Sequence, residues 1–144
     1  MNLLVSACLL GINCRYCGTG CPNQKVLALV KKHHLIPICP EQLGGLPTPR
    51  DPVELVEGHA VTRSGVDRTE QFSHGAEEAL HLAQLFHCDG AVLKSRSPSC
   101  GYGKIYDGSF TGTLTDGNGF TTAKLLEAGI PVYSEDSCEE ILNI

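Results

Sequence analysis

Short apolar runs alternating with helix-like segments predict an α/β fold for this chain: a single-domain, three-layer Rossmann-like arrangement around a mostly parallel sheet of four to five strands. Three observations carry that expectation. Four runs of strand length recur along the chain: Leu3-Leu4-Val5, Leu35-Ile36-Pro37-Ile38, Gly90-Ala91-Val92-Leu93-Lys94 and Pro131-Val132-Tyr133. The segments between them place apolar residues at helical spacing, and a helical crossover is what joins parallel strands with the right-handed sense. The 144 residues, 42% of them apolar, suffice for one core, so residues 1–144 read as one domain.

Each element has a local reason. Leu3-Leu4-Val5 ends at Ser6-Ala7-Cys8 and reads as a buried strand. Pro22 suits a first helical position, with Val26, Leu27, Leu29 and Val30 as the apolar face. The proline of Leu35–Ile38 favours an edge position, and this strand ends at Cys39. From Leu43 to Pro52 glycine and proline are dense, which predicts a fixed loop. His59 to Thr62 reads as a further short strand. Asp67 with Glu70 resembles a capping box, opening a long helix with Phe72, Ala76, Ala79, Ala83 and Phe86 on one face. Thr121 or Thr122 suits the cap of a helix through Leu126, with Gly129 as its stop, and Ser137 suits the cap of a short final helix.

Composition excludes several classes. Net charge is −5 and the 11 basic residues are scattered, so no electrostatic footprint for nucleic acid is present. The closest basic cluster, Lys31-Lys32-His33-His34, falls at a helix end, where it complements the dipole. The N-terminus has neither a basic leader nor a long apolar run, so neither a signal peptide nor a membrane span is expected and the chain is expected in the cytoplasm. Eight cysteines in such a compartment point to metal, redox or catalytic use rather than a disulfide scaffold.

In parallel α/β sheets ligands bind outside the carboxyl ends of the strands. Cys8 follows the first run, Cys39 ends the second, and Cys100 lies six residues past Lys94 in the loop after the third. Three cysteines distant in sequence would therefore meet at one sheet edge, as soft thiolate ligands for an iron–sulfur cluster or zinc. The plainer alternative is three small buried hydrophobes at strand ends. A local rival is Cys14-Arg15-Tyr16-Cys17 followed by Cys21-Pro22, a C-x2-C-x3-C-P spacing that matches part of a ferredoxin run or half of a zinc site. Two polar loops adjoin the trio. Ser95-Arg96-Ser97-Pro98-Ser99-Cys100-Gly101 offers hydroxyls and N–H groups, although it is also ordinary turn composition. Cys39-Pro40-Glu41 places a carboxylate two residues from a candidate ligand, where it could serve as a general base or simply face solvent. The six histidines do not cluster and read as structural.

Three motifs are specific enough to name a family. Ser6-Ala7-Cys8-Leu9-Leu10-Gly11, Cys39-Pro40-Glu41 with Leu43-Gly44-Gly45-Leu46-Pro47-Thr48-Pro49-Arg50, and Lys94-Ser95-Arg96-Ser97-Pro98-Ser99-Cys100-Gly101 resemble the DUF523 family, which includes the thiouracil desulfidases. Ile105-Tyr106-Asp107-Gly108, Thr111-Gly112-Thr113-Leu114 and Gly119 also match, so the resemblance covers essentially the whole chain. It implies a [4Fe-4S] cluster on Cys8, Cys39 and Cys100, with Glu41 and Ser97 as acid/base residues and Ser95 and Ser99 as rivals to Ser97. It further implies non-redox hydrolytic removal of sulfur, released as sulfide, from a thiolated uracil or a related thionucleobase or thionucleoside at an open iron. The alternatives are a zinc- or thiol-dependent binding protein using Cys14, Cys17 and Cys21, or a sulfur or cluster carrier without hydrolytic activity. The chain departs from the family pattern at Cys14-Arg15-Tyr16-Cys17-Gly18, where Cys17 stands in place of an aspartate. That change raises a second metal, a disulfide or a redox-sensitive loop as possibilities. Relatives thought to act on thiolated tRNA carry a second domain, so a small-molecule substrate is expected here and a nucleic-acid partner is not.

Overall fold

A computed structural model describes residues 1–142. Its centre is a four-stranded, all-parallel sheet of β1 (Asn2–Ser6), β2 (His34–Ile38), β5 (Gly90–Leu93) and β8 (Val132–Ser134), in the spatial order β2-β1-β5-β8. The four expected apolar runs are these four strands. Proline-bearing β2 lies at an edge, where the missing N–H of Pro37 interrupts no inner ladder.

Side chains alternate across the sheet with the strand period of two. Leu3, Val5 and Val92 face α1 (Gln24–Ala28) and α5 (Glu139–Leu142), packing with Val26, Leu29 and Ile141. Leu4, Ala91 and Leu93 face α3 (Thr69–Leu85) and α4 (Phe120–Glu127), packing with Ala79, Ala83 and Leu125. Helices therefore cover both faces, giving the three layers expected. Among the described residues no helix is long and apolar enough to cross a membrane.

Several elements depart from the sequence reading. His59–Thr62 is a strand, β4, but it pairs antiparallel with β3 (Val53–Val56) in a separate hairpin instead of joining the central sheet. A second hairpin, β6 (Lys104–Tyr106) with β7 (Leu114–Asp116), was not expected at all. Both are short and half-exposed, so neither shows the apolar run that marks a buried strand. Helix α1 is capped by Asn23, whose Oδ1 accepts the N–H groups of Lys25 and Val26 at 3.0 and 3.3 Å, and Val30 faces solvent beyond it. Asp67 Oδ1 accepts the Thr69 N–H at 2.8 Å, so it braces the entry to α3 from one position outside the cap. Phe86 falls just past the end of α3 and is exposed. Gly119 precedes α4, and Thr121 and Thr122 sit inside the helix, fully buried. Ser137 Oγ accepts the Ser134 N–H, holding the turn that leads towards α5.

One helix contact fixes the position of the functional edge. The short α2 (Pro40–Leu43) meets α3 backbone to backbone at Gly44 and Gly75. A Cβ on Gly75 would lie 2.0 Å from the Pro40 carbonyl oxygen, and one on Gly44 would lie 2.0 Å from that of Gln71. Neither obstacle is a flexible side-chain end, so a methyl group can enter only by pushing the helices apart. Gly75→Ala is accordingly expected to destabilise the protein by about 1–3 kcal/mol. Urea unfolding checks this as a lowered midpoint at unchanged slope.

Candidate metal centre and active site

Three strand ends deliver the three expected cysteines to one place. After β1 the chain tightens into a 3-10 turn, Ala7–Leu10, that carries Cys8. Cys39 directly follows β2, and Pro40 then opens α2 with Glu41 in its first turn. Cys100 lies in the loop that leaves β5. Cys8, Cys39, Cys100, Glu41 and Ser97 all line a single cavity of about 360 Å³ at the carboxyl edge of the sheet, and Cys14 joins them. The two unexpected hairpins contribute its outer wall through Val53, Tyr106 and Phe110. Glu54 Oε1 accepts the N–H groups of Gly108 and Phe110 at 3.0 and 3.1 Å, tying one hairpin to the turn of the other.

Burial disfavours ionisation of three of these thiols, Cys8, Cys14 and Cys100. Burial, then the neighbouring Cys21 and Cys100, pushes the Cys8 thiol far up. Burial, then Cys39, pushes Cys14 to about 11, against the pull of the Arg50 charge. Burial pushes Cys100 to about 12, although the Ser6 and Ser99 hydroxyls work in the opposite direction. Such thiols ionise only when a positive charge replaces the proton, which is how thiolate ligands take up metal. Among the described residues no three His, Cys, Asp or Glu side chains converge on a point that one metal ion could occupy. A polynuclear cluster does not require such convergence, because each thiolate binds a different metal atom. Three soft donors lining one cavity without converging on a point therefore fit a [4Fe-4S] cluster better than a zinc ion.

The Cys100 loop is fixed from two sides. Ser6 Oγ, fully buried, accepts the Lys94 N–H at 2.9 Å and donates to Cys100 Sγ at 3.4 Å. Glu135, just beyond β8, accepts the Ser95 N–H at 2.8 Å and the Ser95 hydroxyl at 3.1 Å, and pairs with Lys94 Nζ at 3.0 Å. Thr122 Oγ1 donates to the Cys100 carbonyl at 2.7 Å, anchoring the loop on α4. These bonds separate the three serines. The Ser95 hydroxyl donates to Glu135, and Ser99 is buried against the Thr121 hydroxyl at 3.1 Å. Ser97 Oγ accepts the N–H groups of Ser99 and Cys100 at 3.1 and 2.8 Å. Its lone pairs are engaged and its own proton remains for the cavity, so it can donate.

Glu41 is largely buried. Its Oε1 accepts Arg50 Nε–H at 3.1 Å. The same guanidinium donates to the carbonyls of Pro47 and Cys14 at 3.2 and 2.9 Å and to Thr48 Oγ1 at 2.9 Å. Burial raises the Glu41 carboxyl above the usual range, opposed by the Arg50 charge and its hydrogen bond.

The three cysteines of the local C-x2-C-x3-C-P spacing lie in different surroundings. Cys14 enters the cavity wall beside Cys39, whose thiol reaches the Cys14 carbonyl at 3.7 Å. Cys17 is exposed, 3.0 Å from the Thr19 hydroxyl, and Cys21 packs towards Cys8. Cys88 is half-buried and Cys138 fully buried, and no histidine lines the cavity. His33 is structural, bonded to the N-terminal amine at 3.0 Å and to the Ile141 carbonyl at 3.2 Å. Sequence reasoning assigned no role to Ser6, Arg50 or Glu135. The first two stand inside the motifs quoted above, whereas nothing local marks Glu135, which acts across 40 residues of chain.

Comparison with known proteins shows the family. The 2-thiouracil desulfurase family matches residues 3–137. The uncharacterised protein YbbK of Bacillus subtilis (strain 168) is 41% identical over 150 residues, covering 97% of this chain and 99% of that protein. A solved structure of the [4Fe-4S]-dependent thiouracil desulfidase TudS (DUF523Vcz) superposes with a TM-score of 0.91 at 46% identity, covering 96% of this chain and 93% of that one.

The Glu135 bridge gives a pH signature. Burial pushes its carboxyl up, but the Ser95 N–H and the Lys94 ammonium outweigh that and leave it below the usual 4.5. A lowered folded-state value contributes stability above pH 4.5 that is lost as pH falls through it. Glu135→Gln is expected to cost about 1–2 kcal/mol at pH 7, and the gap from wild type should narrow steadily below pH 4.5. Urea melts of both proteins between pH 7 and pH 3 read the difference.

Proposed function

The chain belongs to the 2-thiouracil desulfurase family, and on that premise we propose that Cys8, Cys39 and Cys100 hold a [4Fe-4S] cluster at which sulfur is removed from a thiolated uracil. The protein is a thiouracil desulfidase. The observation that carries the residue assignment is the meeting of three strand-end cysteines, Glu41 and Ser97 around one cavity. Cys8, Cys39 and Cys100 would hold the cluster, which would supply Lewis-acid polarisation of the thiocarbonyl.

The protein side chains do the rest. Glu41, aimed by Arg50 and held in a water-poor setting, takes a proton from the water that attacks the thiocarbonyl carbon. Its raised carboxyl makes it a stronger base than an exposed glutamate. Ser97 donates its O–H to the oxygen or nitrogen of the ring, or to the departing sulfur. The buried wall excludes bulk water and strengthens both interactions. The balance is C=S plus water giving C=O plus hydrogen sulfide, with no electron transferred.

The acidic chain, at net charge −5, supports a free thionucleobase or thionucleoside over a nucleic acid as substrate. Eight free thiols support action in a reducing compartment, the cytoplasm. A carrier without hydrolytic activity would not need a buried carboxylate beside its thiols, so Glu41 favours the enzyme.

Anaerobically reconstituted protein is expected to be brown and to release sulfide from 2-thiouracil or 4-thiouracil. Cys8→Ala, Cys39→Ala and Cys100→Ala should each bleach it. Glu41→Gln should keep the colour and lose about 10²–10⁴-fold in kcat, with Ser97→Ala losing about 10²-fold. Sulfide release at wild-type rate from Glu41→Gln would remove that residue from the chemistry.

A further inference from the structure

The three cysteines of the C-x2-C-x3-C-P segment remain outside the reaction, yet two of them stand against proposed ligands. Cys8 and Cys14 are buried in one packed cluster, with Cys21 and Cys39 packed against its edge. The Cys21 N–H donates to the Cys8 carbonyl at 2.9 Å, so the two main chains run side by side at these residues. The Cys39 thiol lies 3.7 Å from the Cys14 carbonyl, and both side chains line the cavity. Cys100 is different. Its sulfur is bounded by the hydroxyls of Ser6 at 3.4 Å and Ser99 at 3.9 Å.

We propose that Cys21 and Cys14 are oxidation partners of Cys8 and Cys39, so that peroxide converts the cluster-free protein into a form with Cys8–Cys21 and Cys14–Cys39 disulfides while Cys100 keeps its thiol. The pairing follows from the packing alone; only the naming of Cys8 and Cys39 as ligands rests on the function proposed above. The arrangement within each pair suits a two-step reaction, with one half-buried member, Cys21 or Cys39, and one buried member, Cys8 or Cys14. Peroxide reaches the half-buried sulfur first. That sulfur attacks one peroxide oxygen, the O–O bond breaks, and a sulfenic acid and water result. The buried thiol then attacks the sulfenic sulfur, an S–S bond forms and a second water leaves. Each pair loses two electrons and two protons to one hydrogen peroxide.

A ligand tied in a disulfide cannot bind iron, and a sulfur in a disulfide is also shielded from the irreversible sulfinic stage. The two pairs would preserve an emptied site and block its reloading until a thiol reductant returns. Cys14 and Cys21 thereby acquire a role that the local spacing did not suggest: they guard a metal site instead of forming one.

Mass spectrometry of the full chain after differential alkylation tests this. Cluster-free protein treated with hydrogen peroxide should lose the four thiols of the two pairs and yield Cys8–Cys21 and Cys14–Cys39 cross-linked peptides, with Cys100 alkylated as a free thiol. It should then fail to take up iron and sulfide until dithiothreitol is added. Cys14→Ser should shift Cys39 from disulfide to sulfinic acid at the same peroxide dose, whereas Cys21→Ser should leave Cys8 an alkylatable thiol. Cluster-loaded protein, at a dose that leaves its colour intact, should yield neither the Cys8–Cys21 nor the Cys14–Cys39 cross-link. In the cluster-free chain, absence of both cross-links, a Cys14–Cys21 cross-link, or Cys100 within a disulfide would overturn the proposal. The same cross-links in a still-coloured protein would instead sink the ligand assignment, leaving the pairing intact.

Discussion

The Arg50 guanidinium is the contact on which the cavity wall depends. It spans three pieces of chain: the carboxylate of Glu41 on α2, the Pro47–Thr48 turn and the Cys14 carbonyl of the N-terminal loop. The planar fork of an arginine can satisfy several acceptors in different directions at once, which a lysine ammonium on a flexible stem cannot do with the same geometry. Its charge and hydrogen bond also oppose the upward push that burial gives the Glu41 carboxyl. Because both Cys14 and Glu41 hang on it, the shape of the thiol pocket and the direction of the carboxylate are one property rather than two.

A second set of contacts completes the opposite wall. Ser6 ends the central strand, and its hydroxyl joins the Lys94 amide to the Cys100 sulfur. Glu135 reaches from the end of β8 to hold the next residues of the same loop. The Cys100 loop is thus referenced to the two strands that flank β5, so its sulfur moves with the sheet. Hydrogen bonds to ligand sulfur are among the features by which proteins tune iron–sulfur groups, and with Cys100 as the proposed ligand Ser6 would supply one of them.

How much of this was legible in the sequence follows from the range of the signals. Leu3-Leu4-Val5 and Gly90–Leu93 are buried on both faces, so continuous apolar runs exposed them directly. Cys8, Cys39 and Cys100 could be placed together because a parallel sheet puts all its strand ends on one side. The hairpins of Val53–Thr62 and Lys104–Asp116 escaped notice, apart from His59–Thr62, because their strands are short and carry exposed polar residues. Glu135 escaped because a partner 40 residues away leaves no local pattern. The Cys14–Cys21 segment misled in the other direction. Its spacing resembles a ligand run, yet the loop turns the three thiols into the cavity wall, into solvent and towards Cys8.

The glycine contact between α2 and α3 also decides where the cavity can change. The side that carries Glu41 rests on two backbones in direct touch, and no exchange of side chains can move it outward. The opposite side is formed by two small hairpins joined through the Glu54 carboxylate. Redesign for bulkier thiocarbonyl compounds therefore has one productive direction: the loops bearing Tyr106 and Phe110 can be lengthened or trimmed while the chemical groups stay where the helices fix them.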